Sequence, residues 1–127
     1  MSDEKTYTPE EINERLQGAL AKWRLQDGML YRSYACANWR SSVMLFNGIA
    51  HVAEAAWHHP DVEVSWSKVR VHLMTHSAKG ITDKDFQLAS KIEEIAQWTP
   101  DEDSALDGTP TDPRWRYRKL ESTDRRS

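Results

Sequence analysis

The chain has few of the residues that build disulfides, metal ribbons or membrane spans. Cys36 is the only cysteine among 127 residues, which excludes an intramolecular disulfide and a metal site made of paired cysteines. No apolar run approaches the roughly 18 residues that a membrane helix needs, and no stretch resembles a signal peptide. We therefore expect a cytoplasmic protein without membrane contact, in which Cys36 is a small buried residue.

The chain also has no large excess of positive or negative charge. The net charge is -3, with 29% charged and 39% apolar residues, which is ordinary for a soluble domain. Such a balance gives no overall attraction to nucleic acid or lipid. A basic cluster at 114–119 carries Trp115 and Tyr117, but it is short and has an acidic neighbourhood, so we expect no nucleic-acid partner.

The composition changes after Trp98 and predicts a domain boundary. Residues 99–113 hold five acidic residues, three prolines and no basic residue, whereas residues 114–127 hold six basic residues and two acidic ones. We predict one domain over 1–99, with a modest core. The charged extension over 100–127 is expected to be partly ordered or disordered, and could recruit a protein partner.

Local signals in the first half predict a helix, a hairpin and a second helix. Thr8 can cap a helix from Pro9 to about Lys22, and the Asp27-Gly28 pair can join two short strands. The second helix has an apolar stripe with alternating steps of four and three residues, formed by Trp39, Val43, Phe46, Ala50, Ala53 and Trp57.

The second half predicts two more strands and a last helix. Polar and apolar residues alternate over 62–66 and again over 69–75. Thr82 and Asp85 then form the ends of a capping box that opens a helix. The predicted order of elements is α-β-β-α-β-β-α. Asp85 has a structural role as a cap, and it also lies on the inward stripe, so a role in a site remains open.

The strongest chemical signal is the run His58-His59-Pro60, because adjacent histidines before a proline seldom arise from packing alone. The helix must end near this run, since a residue before proline is driven out of the α region. His76 lies at the end of the last strand, on the face opposite the valines. Histidine exchanges protons near neutral pH, so these residues indicate acid–base chemistry.

Less specific roles compete for the same residues. His58, His59 and His76 could bind zinc, although adjacent histidines tend to point apart and no carboxylate is spaced as a further ligand. His51 and His72 are expected to be surface or packed residues. Trp23, Trp39, Trp57 and Trp66 are expected in the core, and Trp23 and Trp66 could also wall a pocket for a planar ligand.

The complete spaced set resembles the signature of the pterin-4a-carbinolamine dehydratase family. Its members here are Glu54, His58, His59, Pro60, Trp66, His76 and Asp85, and the resemblance extends from about Thr8 to Thr99. The chain departs from the family at Cys36, where phenylalanine is common, and at Lys84, where some relatives have arginine. Residues 100–127 have no counterpart in the shortest members.

The resemblance implies a fold, an activity and a set of roles. The fold would be α+β, with a four-stranded antiparallel sheet and helices packed on one face, assembled as a homodimer or homotetramer. The activity would be dehydration of 4a-hydroxytetrahydropterin to quinonoid dihydropterin in tetrahydrobiopterin recycling, with no cofactor or metal. An alternative is a non-catalytic relative that stabilises a transcription-factor dimer or assists enzyme assembly.

The resemblance also implies which residues act as acid and base and which bind the substrate. His58 and His76 would be the acid and the base, in an order left open. His59 would hold the pterin or the leaving water, and Pro60 would fix the direction of the histidine pair. Glu54 and Asp85 would orient the imidazoles. Apart from the resemblance, Trp23 and Trp66 could wall the pterin pocket by stacking on the planar ring.

Overall fold

The fold alternates helices and antiparallel strands in the predicted order. The computed structural model describes residues 4–112, so the basic cluster at 114–119 and most of the extension lie outside the described residues. A short 3-10 turn, Gly18–Leu20, follows the first helix. The helices are α1 Pro9–Arg15, α2 Trp39–Ala56 and α3 Asp83–Gln97, and the strands are β1 Arg24–Gln26, β2 Met29–Ala35, β3 Asp61–Ser65 and β4 Lys68–Leu73.

The four strands form one antiparallel sheet in the order β1-β2-β4-β3. Asp61 pairs with His72 and Ser65 pairs with Lys68, so β3 and β4 are joined by the two-residue turn Trp66-Ser67. Because the strands are antiparallel, the residues that precede β3 and those that follow β4 meet at the same end of the sheet. The register therefore brings His59 and Pro60 toward the segment that contains His76.

One face of the sheet carries the core, and all three helices contribute to it. Side chains alternate between the two faces of a strand, and in β4 the apolar ones point inward while Arg70 and His72 are only half-buried. The α+β prediction is confirmed. The fully buried apolar core residues are Leu30, Ile49, Val69, Val71, Leu73, Ala89 and Ile92.

The first helix is shorter than predicted. It ends at Arg15 rather than near Lys22, because the backbone leaves the helical region at Leu16 (φ -89°, ψ 65°) and is extended at Gln17 (φ -133°, ψ 173°). Its start is as expected, since the Thr8 hydroxyl accepts a hydrogen bond from the Glu11 amide in a capping box. The Asp27-Gly28 hairpin is confirmed, and both turn residues have positive φ.

The buried face of α2 differs from the predicted stripe. Trp39 and Trp57 are 52% and 75% exposed, whereas Ser41 and Ser42 are buried with Ile49 and Ala53. Ser42 donates a hydrogen bond to the Trp66 carbonyl oxygen at 3.2 Å. The start of the helix therefore packs small residues against the β3–β4 turn, and Trp39 and Trp57 face solvent.

A buried polar cluster lies beneath α3, centred on Glu93. Its Oε1 accepts hydrogen bonds from the Tyr34 hydroxyl at 2.7 Å, the Trp23 indole at 2.9 Å and Arg32 Nε at 3.2 Å. Its Oε2 accepts from Arg32 Nη2 at 3.2 Å and from Gln97 at 3.1 Å. Every partner is a donor, so this carboxylate ties β2 and the residue that precedes β1 to the last helix.

Candidate active site

The end of α2 delivers the histidine pair to the site. Trp57 adopts a left-handed conformation with φ 53° and ψ 44°, and its amide donates to the carbonyls of Ala53 and Glu54. The His58 amide also donates to the Ala53 carbonyl, at 3.1 Å. These bonds pair two carbonyls in the last turn of the helix. The chain then turns through Pro60 into β3.

His58 contacts the buried carboxylate of Asp85. Nε2 of the imidazole lies 2.7 Å from Asp85 Oδ1. The side chain of His58 is 13% exposed and that of Asp85 is completely buried. Asp85 therefore occupies one ring nitrogen of His58 in a protected environment, which leaves Nδ1 as the nitrogen available to another group.

Asp85 contacts both the start of α3 and His58, and its predicted role in a site stays a prediction. Its Oδ2 accepts the Thr82 amide at 2.9 Å, as the second half of the capping box, and the Thr75 hydroxyl at 2.7 Å. The Thr75 and Thr82 hydroxyls lie 2.7 Å apart. Because Thr75 gives its only hydroxyl proton to Asp85, Thr82 must donate to Thr75. The same carboxylate thus caps α3 and holds His58.

His59 points to a different carboxylate. Its Nε2 lies 3.0 Å from Glu54 Oε1, on the exposed last turn of α2. The indole of Trp57 packs edge-on against the imidazole, with ring centroids 4.9 Å apart and an interplanar angle of 81°. The two adjacent histidines are therefore held separately, with the side chain of His58 largely buried and that of His59 half-exposed.

His76 lies in the turn that follows β4, which ends at Leu73 and not at Thr75 as predicted. Thr75 pairs with Gly80 across this turn, and the His76 carbonyl accepts the Lys79 amide at 3.2 Å. The His76 side chain is exposed. Its neighbour Thr75 bonds to Asp85, so the backbone of His76 is tied to the carboxylate that holds His58.

A cleft between α2 and α3 opens beside His58. Its volume is about 500 Å³, within the range of small-molecule sites. Two lysines line it and no carboxylate does; Lys84 is paired at the surface with Glu4 at 3.1 Å. The lining residues are His51, Val52, Ala55, Ala56, His58, Lys84, Gln87, Leu88 and Lys91.

The two tryptophans predicted to wall the pocket lie elsewhere in this chain. Trp23 is 2% exposed and belongs to the Glu93 cluster. Trp66 is 63% exposed in the β3–β4 turn, separated from Pro60 by five strand residues, or about 17 Å. The structure does not bring either indole to His58, and their part in pterin binding stays a prediction.

Trp57 and Thr75 contact predicted site residues, His59 and Asp85 respectively, and sequence reasoning missed both contacts. Trp57 was assigned to the core through the apolar stripe, but it is exposed beside His59. Its position directly before the histidine pair, where the helix has to end, was the available signal. Thr75 carried no signal of its own apart from its position beside His76.

Among residues 4–112, no group of three or more histidine, cysteine, aspartate or glutamate side chains is arranged to hold a metal ion. Within the same residues, no helix combines the length and apolarity needed to cross a membrane.

The fold and the site define an α+β protein in which histidines and carboxylates meet at one end of an antiparallel sheet. A family model described as pterin 4 alpha carbinolamine dehydratase matches residues 5–95, and the chain belongs to this family. A curated relative from Aquifex aeolicus (strain VF5), named "Putative pterin-4-alpha-carbinolamine dehydratase", is 41% identical over 93 residues, which cover 73% of this chain and 93% of the relative.

Other relatives agree with this assignment. A protein of the same name from Roseiflexus sp. (strain RS-1) is 42% identical over 85 residues, covering 67% of this chain and 90% of its own. A crystal structure described as a transcriptional coactivator/pterin dehydratase from Brucella melitensis has a TM-score of 0.67 and 31% identity, covering 72% of this chain and 98% of its own. A pterin dehydratase-like RuBisCO assembly factor, with 16% identity and a TM-score of 0.54 over 65% of this chain and 98% of its own, shares the fold.

Proposed function

We propose that this protein catalyses the dehydration of 4a-hydroxytetrahydropterin to quinonoid dihydropterin. The observation that supports this most is the 2.7 Å contact between His58 and the buried Asp85, at the end of the sheet where His59 and His76 also lie. A histidine held by a buried carboxylate is an arrangement suited to proton transfer.

The reaction needs one proton donor and one proton acceptor. The C4a–O bond breaks as the hydroxyl takes a proton and leaves as water. The N5–H bond breaks as its proton passes to a base, and its electron pair forms the C4a=N5 double bond. Nothing is oxidised or reduced, and two imidazoles in opposite protonation states can carry both transfers.

The proposed roles follow the contacts at the site. Asp85 fixes Nε2 of His58 as the proton-bearing nitrogen, so Nδ1 is the atom that exchanges a proton with the substrate. His76, exposed in its turn, is the second proton-transfer group, in either order with His58. His59, oriented by Glu54, holds the pterin ring or the leaving water, and Pro60 fixes the direction in which the pair projects.

A binding role is the second candidate. The Brucella melitensis structure is described as a coactivator as well as a dehydratase, and this chain exposes several large aromatic residues on α2 and the β3–β4 turn. Contact with a protein partner through the 100–127 extension, homo-oligomer formation and a cytoplasmic location stay predictions. The intact histidine set favours catalysis as the primary function.

The proposal is tested by measuring turnover of 4a-hydroxytetrahydropterin by the full chain, with and without a strong chelator. We expect a rate well above the uncatalysed one, unchanged by chelation, because the two imidazoles supply both proton transfers. A loss of rate restored by zinc would favour the histidine triad as a metal site. A rate equal to the uncatalysed one would favour the binding role.

A further inference from the structure

The residue between α2 and the histidine pair has an unusual backbone for its side chain. Trp57 has φ 53° and ψ 44°, a region that glycine and asparagine occupy readily at helix ends. A bulky residue there is an outlier, and such strain persists where the surrounding structure or the function requires it.

Core packing does not explain the tryptophan. Its side chain is 75% exposed, the largest exposed fraction among the large hydrophobic residues of the described chain, and it is outside the hydrophobic core cluster. The strain is therefore not offset by burial of the indole in this fold. The same turn could be made at lower conformational cost by asparagine.

The indole instead lies at the site. Its ring contacts His59 edge-on, with centroids 4.9 Å apart, while Nε2 of His59 lies 3.0 Å from Glu54 Oε1. The contact leaves most of the indole surface open to a ligand beside the histidines. Indole faces bind planar heterocycles by stacking, and a reduced pterin presents such a ring system.

We propose that Trp57 is a substrate-binding residue, which stacks on the pterin ring and fixes the position of His59. This inference rests on the proposed function, because it takes the pterin as the ligand of the site. The left-handed turn directs the side chain of Trp57 away from the core and toward His59. The inference therefore predicts that replacing Trp57 can stabilise the fold and at the same time weaken binding of the pterin.

The experiment compares Trp57→Asn with Trp57→Phe and with Trp39→Asn. Asparagine fits the left-handed turn but cannot stack, phenylalanine retains an aromatic face, and Trp39 is an exposed tryptophan at the opposite end of the same helix. Binding of 7,8-dihydrobiopterin, a stable analogue of the product, is measured by calorimetry. Thermal unfolding and light scattering give stability and mass.

We expect Trp57→Asn to raise Tm by a few degrees, because asparagine relieves the backbone strain. It should weaken dihydrobiopterin binding about tenfold, the loss of one stacked aromatic contact. Trp57→Phe should keep most of the affinity, and Trp39→Asn should leave it unchanged. All three variants should have the same particle mass by light scattering as the wild type, apart from the substituted side chain.

Each contrary result has a distinct meaning. Wild-type binding with an unchanged Kd in Trp57→Asn would overturn the role of Trp57 and leave the proposed function intact. A weaker Kd accompanied by a smaller particle mass would assign Trp57 to a subunit interface and overturn the inference. No binding by the wild-type protein would overturn both the inference and the proposed function.

Discussion

Helix α3 carries two buried carboxylates, which differ in the kind of basic side chain that each one contacts. Asp85 and Glu93 lie eight residues apart on the face of the helix that meets the sheet, and each accepts several hydrogen bonds. The cation beside Glu93 is Arg32, at 3.2 Å. The titratable partner of Asp85 is His58, at 2.7 Å.

The partner decides what each carboxylate can do. An arginine keeps its proton at any ordinary pH, so the Arg32–Glu93 pair can only position the elements that it joins. A histidine can gain or lose a proton, so the His58–Asp85 pair can change state during a reaction. Burial of a carboxylate therefore does not by itself distinguish a structural pair from a pair suited to proton transfer; the ability of its partner to exchange a proton does.

The pKa of Glu93 reflects the same arrangement. Burial raises it, but the hydrogen bonds and charge of Arg32, with the bonds from Tyr34 and Trp23, outweigh burial and hold the pKa below its ordinary value of 4.5. The ionised form of Glu93 is thus favoured in the folded protein. This cluster is built to stay charged, which suits a structural role.

The largest expected effect is the loss of turnover when a histidine of the proposed site is replaced. Replacing His58 or His76 by alanine should lower the turnover of 4a-hydroxytetrahydropterin about 10² to 10⁴-fold, because each would remove one proton-transfer group. Steady-state kinetics on folded protein measures the loss. The control is His72→Gln, since His72 lies on β4 against Tyr31 and should keep near-wild-type turnover. Near-wild-type turnover in both alanine variants would remove the mechanism.

At the other carboxylate, stability should change and catalysis should not. Glu93→Gln leaves Arg32 buried without its counter-charge, which should cost about 3–5 kcal/mol in the free energy of unfolding at pH 7. The lowered pKa means that the stability contributed by ionisation is present above pH 4.5 and is lost as the pH falls through the folded-state value. The difference in the free energy of unfolding between wild type and variant, measured by urea unfolding, should therefore become smaller at acidic pH.

The control for that prediction is Glu94→Gln. Glu94 is the next residue on α3 and forms an exposed pair with Lys91 at 3.2 Å, so its loss should change the free energy of unfolding by less than about 1 kcal/mol. Reduced turnover per folded molecule of Glu93→Gln would contradict the division between the two carboxylates, because it would give Glu93 a part in the reaction.

A smaller effect should follow from Asp85→Asn. The amide can still accept the Thr82 cap, but it no longer provides a carboxylate to orient His58, so turnover should fall about 10 to 100-fold. The matched control is Asp83→Asn, in the same first turn but exposed, which should stay within about twofold of wild type. Equal turnover in the two variants would show that Asp85 is a helix cap alone.

Features built from neighbouring residues were predictable from the sequence, and long-range contacts were not. Both capping boxes and the Asp27-Gly28 hairpin follow from residues within four positions of each other, and all three are confirmed. The predicted buried face of α2 was wrong, and the face that is buried includes Ser42, which bonds to the carbonyl of Trp66, 24 residues away. No periodicity of apolar residues contains that information.

The two carboxylates of α3 show the same limit. Asp85 was singled out because it belongs to a capping box and to the family signature, although its contact with His58 spans 27 residues. Glu93 was missed, because a glutamate in a helix is usually exposed. Its partners Trp23, Arg32 and Tyr34 lie 59 to 70 residues away, and only the folded sheet brings them to it.

The two-residue turn Trp66-Ser67 has a consequence for how this chain can vary in length. It fixes the pairing of Asp61 with His72, and through that pairing the position of His59 relative to His76. One inserted residue in the turn would slide β3 along β4 or reverse the faces of one strand, and the histidines would separate at the opposite end of the sheet. A turn about 17 Å from the site thus determines the relative position of its histidines. Insertions in this turn should be far less tolerated than insertions after Trp98.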